Sequence, residues 1–82
     1  MSDSMRNLAE AVFLSDLQPS ASPDAAAVEA AVAATLARYG WDGCGPAVAG
    51  EFGERAETAL PRLLWARRLV AEHAAATPAL AA

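Results

Sequence analysis

A chain of 82 residues forms one domain, near the lower size at which a single hydrophobic core supports folding alone, so self-association is an expectation from the outset. Its Ala-rich composition, with few β-branched or aromatic side chains, favours helices and argues against a sheet, because Ala loses least on entering a helix. A net charge of −4 argues against general affinity for nucleic acid, whose non-specific binding is mostly phosphate neutralisation, and the six basic side chains are all Arg.

Met5, Leu8, Val12 and Phe13 recur at i, i+3, i+7 and i+8, with Ser2 or Ser4 available as cap, and predict a first helix over about residues 4 to 16. Gln18-Pro19-Ser20-Ala21-Ser22-Pro23 then breaks it as a loop, since proline removes a backbone donor and disfavours helical geometry in the residue before it. Ser22 as cap, Pro23 at the first helical position and Asp24 in the first turn start a second helix. Its buried stripe is Val28, Val32, Leu36 and Tyr39, lined otherwise by alanine, and Gly40 stops it.

Trp41-Asp42-Gly43-Cys44-Gly45-Pro46 reads as a connector, with Pro46 opening a short third helix through Phe52 and Gly53 ending it. A fourth helix follows from about Thr58 to Ala75, with Thr58 as cap and Pro61 in the first turn, where its missing N–H has no intrahelical partner to lose. On a helical wheel Leu60, Leu63, Leu64 and Val70 form one apolar sector, which is given to the core; Trp65 and Leu69 lie together on roughly the opposite side. That second pair is either covered by the N-terminal helix or forms a contact surface. The expected architecture is all-α, a small bundle of four helices in a single domain over residues 1–76, with a disordered tail at 77–82.

In the middle of the chain, Val48-Ala49-Gly50-Glu51-Phe52-Gly53 followed by Glu57-Thr58 resembles the helix-turn-helix of bacterial regulators. In that motif a small residue (here Ala49) lets two helices cross closely, a glycine (Gly53) takes the left-handed conformation in the turn, and a threonine (Thr58) starts the recognition helix. Arg62-Leu63 and Ala66-Arg67-Arg68-Leu69 extend a similarity to the C-terminal DNA-binding region of bacterial sigma factors over about residues 46 to 72. The resemblance implies that the last two helices form a helix-turn-helix-like arrangement, with the segment after Thr58 in the major groove and Arg55, Arg62, Arg67 and Arg68 on phosphates.

Little in the chain points to catalysis. Cys44, between glycines ahead of a helix start, is a candidate for a depressed thiol pKa but more simply a small loop residue, and His73, its one conceivable base, lies some thirty residues away. One Cys and one His make no metal site, the carboxylates are scattered, and Gly43-Cys44-Gly45-Pro46 lacks the Lys and Ser/Thr of a P-loop. Length and acidity are similar to those of acyl carrier proteins, but the Asp-Ser-Leu attachment signature is absent. No cofactor and no small-molecule ligand are expected.

Asp3 and Arg6 interrupt the N-terminus, no uncharged segment approaches the roughly 20 residues needed to span a bilayer, and the single Cys44 agrees with a reducing compartment, so the cytoplasm is the expected location. Across residues 46 to 72 Glu51, Glu54, Glu57 and Glu72 balance the four arginines. The leading expectation is therefore a non-enzymatic helical module acting by protein–protein contact, as a homodimer or as the small partner of a larger protein, with Trp65 and Leu69 as its contact residues. A DNA-binding transcriptional regulator using Arg55, Thr58, Arg62, Arg67 and Arg68 is the alternative.

Overall fold

The computed structural model of the chain describes residues 3–76, and the side chains of residues 4–73. Its elements are a helix α1, Asp3–Leu14, a short 3-10 turn, Pro19–Ala21, and a long helical run α2, Ala25–Ala76. All-α is what forms, and no strand occurs among the described residues. The expected bundle of four helices, with its last two in a helix-turn-helix-like arrangement, does not form: helix runs through the expected connector at 41–46, and the expected turn at 53–57 is reduced to a bend at Arg55 within one long helical run. The expected tail at 77–82 lies outside the described residues.

A straight helix of the 52 residues of α2 would be roughly 78 Å long. The longest dimension of the molecule is 34 Å, so α2 doubles back on itself. It does so at the two residues that leave helical geometry, Gly40 (φ 72, ψ 165) and Arg55 (φ −141, ψ 52). Gly40 thus ends the first helical segment of α2, as its place after Tyr39 predicts, and the chain returns to helix directly beyond this corner. A positive φ with ψ near 180° is essentially restricted to glycine. A Cβ added there would meet nothing within 4 Å, so the requirement comes from the backbone alone. Gly40 is the one described glycine with positive φ. Gly53 therefore lacks the left-handed turn that the helix-turn-helix frame requires of it, and the second bend falls two residues later, at Arg55.

Other local expectations shift for identifiable reasons. Ser22 adopts a left-handed conformation (φ 46, ψ 59) that closes the 3-10 turn, and Asp24 caps α2 instead, its Oδ1 accepting the Ala27 N–H at 2.8 Å. Thr58 does not cap: its hydroxyl donates back to the Arg55 carbonyl at 3.2 Å. Pro46 and Pro61 open no helix; each lies inside α2, beyond a bend, where its ring removes one backbone donor.

The core joins α1 to all three segments of α2. Leu8, Val12 and Phe13 are buried as their spacing predicts, together with Ala9 and Ala11. Val28 and Val32 meet them from the first segment and Val48 from the second, while Phe13 stacks on Phe52 with ring centroids 6.1 Å apart. From the last segment the inward residues are Ala59, Ala66, Leu69 and Val70, with Leu63 and Trp65 packed at the margin. Leu60 and Leu64, given to the core by the wheel, point outward at 51% and 42% exposure. Ala59 and Ala66 take the inward side because small side chains permit the close approach of another helix, which leaves the bulkier leucines outside.

Candidate functional site

Arg62 decides how the last segment faces the rest of the molecule. Its Nε donates to the Phe13 carbonyl at 2.8 Å, and its Nη2 donates to Ser15 at 2.8 Å, Leu17 at 3.0 Å and, more weakly, Val12 at 3.4 Å. These carbonyls lie at the C-terminal end of α1 and just beyond it, where a helix leaves its last acceptors without intrahelical donors. The guanidinium supplies those donors and sets positive charge at the negative end of the α1 dipole. Burial pushes the Arg62 pKa down and the nearby Asp16 carboxylate pushes it back up; an arginine in this position stays charged. Ser15 completes the cap, its hydroxyl donating to Val12 O at 2.6 Å and accepting the Leu17 N–H at 3.2 Å.

The same guanidinium lies 5.1 Å from the centroid of the Trp65 ring, a cation–π contact one turn along the helix. Trp65 is half-buried against the core and Leu69 is inside it at 7% exposure, so the two do not form an outward apolar pair. Arg62, Trp65 and Leu69 share the inward side of this segment. Of the other arginines singled out from the sequence, Arg55 pairs with Glu51 at 2.8 Å and Glu54 at 3.5 Å. Arg67 and Arg68 are exposed, as is Thr58. The structure therefore brings together no row of free arginines from the four positions.

The outward face of the last segment holds Leu60 and Leu64 one turn apart, with Glu57, Arg67, Arg68 and Ala71 around them, all exposed. Among the described residues Trp41, at the Gly40 corner, is the other large exposed apolar side chain at 51%. The helical spacing of Leu60 and Leu64 signals an apolar stripe, and nothing local distinguishes a core stripe from a surface one.

Two shallow hollows flank Tyr39. One, about 260 Å³, is lined by Leu14, Ser15, Leu17, Thr35 and Arg38 among others; the second, about 190 Å³, by Phe13, Glu51, Thr58, Ala59 and Arg62 among others. Their polar groups are largely occupied within the chain: Thr35 donates to Ala31 O at 2.8 Å, Arg38 lies over the Tyr39 ring at 5.1 Å, Glu51 holds Arg55, and Ser15 and Arg62 serve the α1 cap.

Cys44 is buried at 1% exposure, with its Sγ 3.3 Å from the Gly40 carbonyl. Burial, and secondarily the Glu10 charge, push its thiol pKa up, away from a reactive thiolate. His73 Nε2 lies 3.2 Å from the Pro23 carbonyl, linking the far end of α2 to its start. Among the described residues no group of three His, Cys, Asp or Glu is placed to hold a metal ion, and no helix is long and apolar enough to cross a membrane. Comparison with known proteins found no matching family model, no matching curated protein and no matching solved structure.

Proposed function

We propose that the chain is a non-enzymatic helical module that works by contact with another polypeptide. One observation carries this reading: Leu60 and Leu64 stand side by side on the outward face of the last helical segment, leaving 51% and 42% of their surface in water. Single exposed leucines are ordinary on protein surfaces, but two on adjacent turns form a stripe of the kind that a second helix or an apolar groove covers. Fully burying a leucine contributes about 1.5–3 kcal/mol, so covering the exposed part of both supplies enough to bias association without locking it. The polar groups that chemistry would need are instead committed to holding the fold, Arg62 above all.

The test is a photo-crosslinking amino acid at position 64 in the full chain, expressed in its native host, with the same group at the exposed position of Ala33 as control. A covalent adduct to a polypeptide from position 64 and not from position 33 is the expected result. Equal background from both positions would remove the reading.

A further inference from the structure

Glu57, Leu60, Leu64, Arg67 and Ala71 alternate at spacings of three and four, which places them on one seam of the last helical segment, and all five are exposed. That seam lies on the side of the helix away from buried Ala59 and Ala66. Along it the chemistry runs acid, leucine, leucine, base. Such an order is complementary to its own reverse. When two copies lie antiparallel, with the two-fold axis crossing midway between Leu60 and Leu64, each Leu60 faces Leu64 of the second copy. The same axis sets each Glu57 against Arg67 of the second copy. We infer that this seam binds a second copy of the chain as an antiparallel helix pair, an inference that rests on the reading of Leu60 and Leu64 as a contact surface.

Two further observations favour this occupant. Among the described residues Glu57 and Arg67 have no ion-pair partner within the chain, whereas Arg55 has both Glu51 and Glu54. A parallel arrangement would set Glu57 against Glu57 and Arg67 against Arg67, so the charges reject it while accepting the antiparallel one. Neighbouring Ala56 and Ala71 add no bulk to hold the helices apart. The pairing is isologous and closes at two copies. With four leucines at its centre it is far smaller than a standard interface of about 1,600 Å², so the dimer is weak and concentration-dependent.

The experiment is sedimentation equilibrium of the full chain from about 10 μM to 1 mM, with circular dichroism confirming that each variant keeps its helix. The wild type is expected to pass from monomer to dimer over this range. Glu57→Arg alone and Arg67→Glu alone each create like-charge contacts and are expected to weaken dimerisation at least tenfold. An equimolar mixture of the two variants restores both opposite-charge pairs, and is expected to form a heterodimer within about threefold of wild-type affinity. A wild type that stays monomeric, single reversals that dimerise like wild type, or folded variants that fail to pair on mixing would each overturn the inference. If the chain stays monomeric while the crosslinker at position 64 still traps a different polypeptide, self-pairing is lost and the contact surface stands; if that crosslinker also traps nothing, both are lost.

Discussion

Replacing Arg62 by Ala withdraws three hydrogen bonds of 2.8–3.0 Å from the end of α1, along with the positive charge facing its dipole and the cation–π contact with Trp65. Hydrogen bonds from a charged donor contribute about 1.5–3 kcal/mol each when well buried. The full sum does not apply here, because Arg62, Ser15 and Leu17 are only half-buried and water can reach the freed carbonyls. The net loss is therefore about 2–4 kcal/mol, a large share of the roughly 4–12 kcal/mol expected for a domain of this size. At about 4–8 °C per kcal/mol, the melting temperature falls by roughly 8–32 °C. Arg62→Lys keeps the charge but not the planar fork, and one ammonium cannot serve the Phe13, Ser15 and Leu17 carbonyls in the same geometry, so it recovers less than half the loss. Urea denaturation followed by circular dichroism and tryptophan fluorescence measures both variants. An Arg62→Ala cost below about 0.5 kcal/mol, well under that of a typical single hydrogen bond, would refute the role of Arg62 as the cap of α1.

The two glycines near the bends should behave oppositely. Gly40→Ala, at φ 72, is expected to cost about 1–3 kcal/mol, while Gly53→Ala, in helical geometry with open space around its Cβ, is expected to stabilise by up to about 1 kcal/mol; thermal melts of both variants decide it. Burial raises the Cys44 thiol above its ordinary 9.0, so above that pH the unfolded chain releases a proton the folded chain keeps. Stability should accordingly fall as pH rises from about that value toward the folded pKa, by an amount that Cys44→Ala abolishes in urea titrations at stepped pH. Duplex DNA is expected to show no binding by fluorescence anisotropy even at low salt, because Arg62 is committed to α1 and Arg55 to glutamates. Salt-dependent binding that weakens in Arg67→Ala and Arg68→Ala would contradict this.

Some of the fold is legible in local periodicity. Leu8, Val12 and Phe13, and then Val28 and Val32, point inward because their helices bury one apolar stripe against a neighbour, which spacing alone reveals. The last segment misleads because its bulkiest residues are not its inward ones. Ala59 and Ala66 enter the core, and Arg62 lies on the same side of the segment, where it supplies donors to carbonyls some fifty residues earlier in the chain. No local pattern announces so distant a partner. Gly40 and Gly53 look alike in sequence, each following a helical stretch, yet the path of the chain demands positive φ at the first alone. The prolines mislead in a related way: the chain accepts Pro46 and Pro61 inside α2, each at the loss of a single backbone donor, so they do not mark helix starts. For the contact surface, the spacing of Leu60 and Leu64 was readable and its direction was not.

Carbene footprinting of Leu60 and Leu64, in dilute purified protein and in intact cells of the native host, tests the contact surface most directly. Both side chains should label strongly in dilute solution and be protected several-fold in the cell, with labelling at Ala33 unchanged. Equal labelling of Leu60 and Leu64 in the two settings would contradict the account.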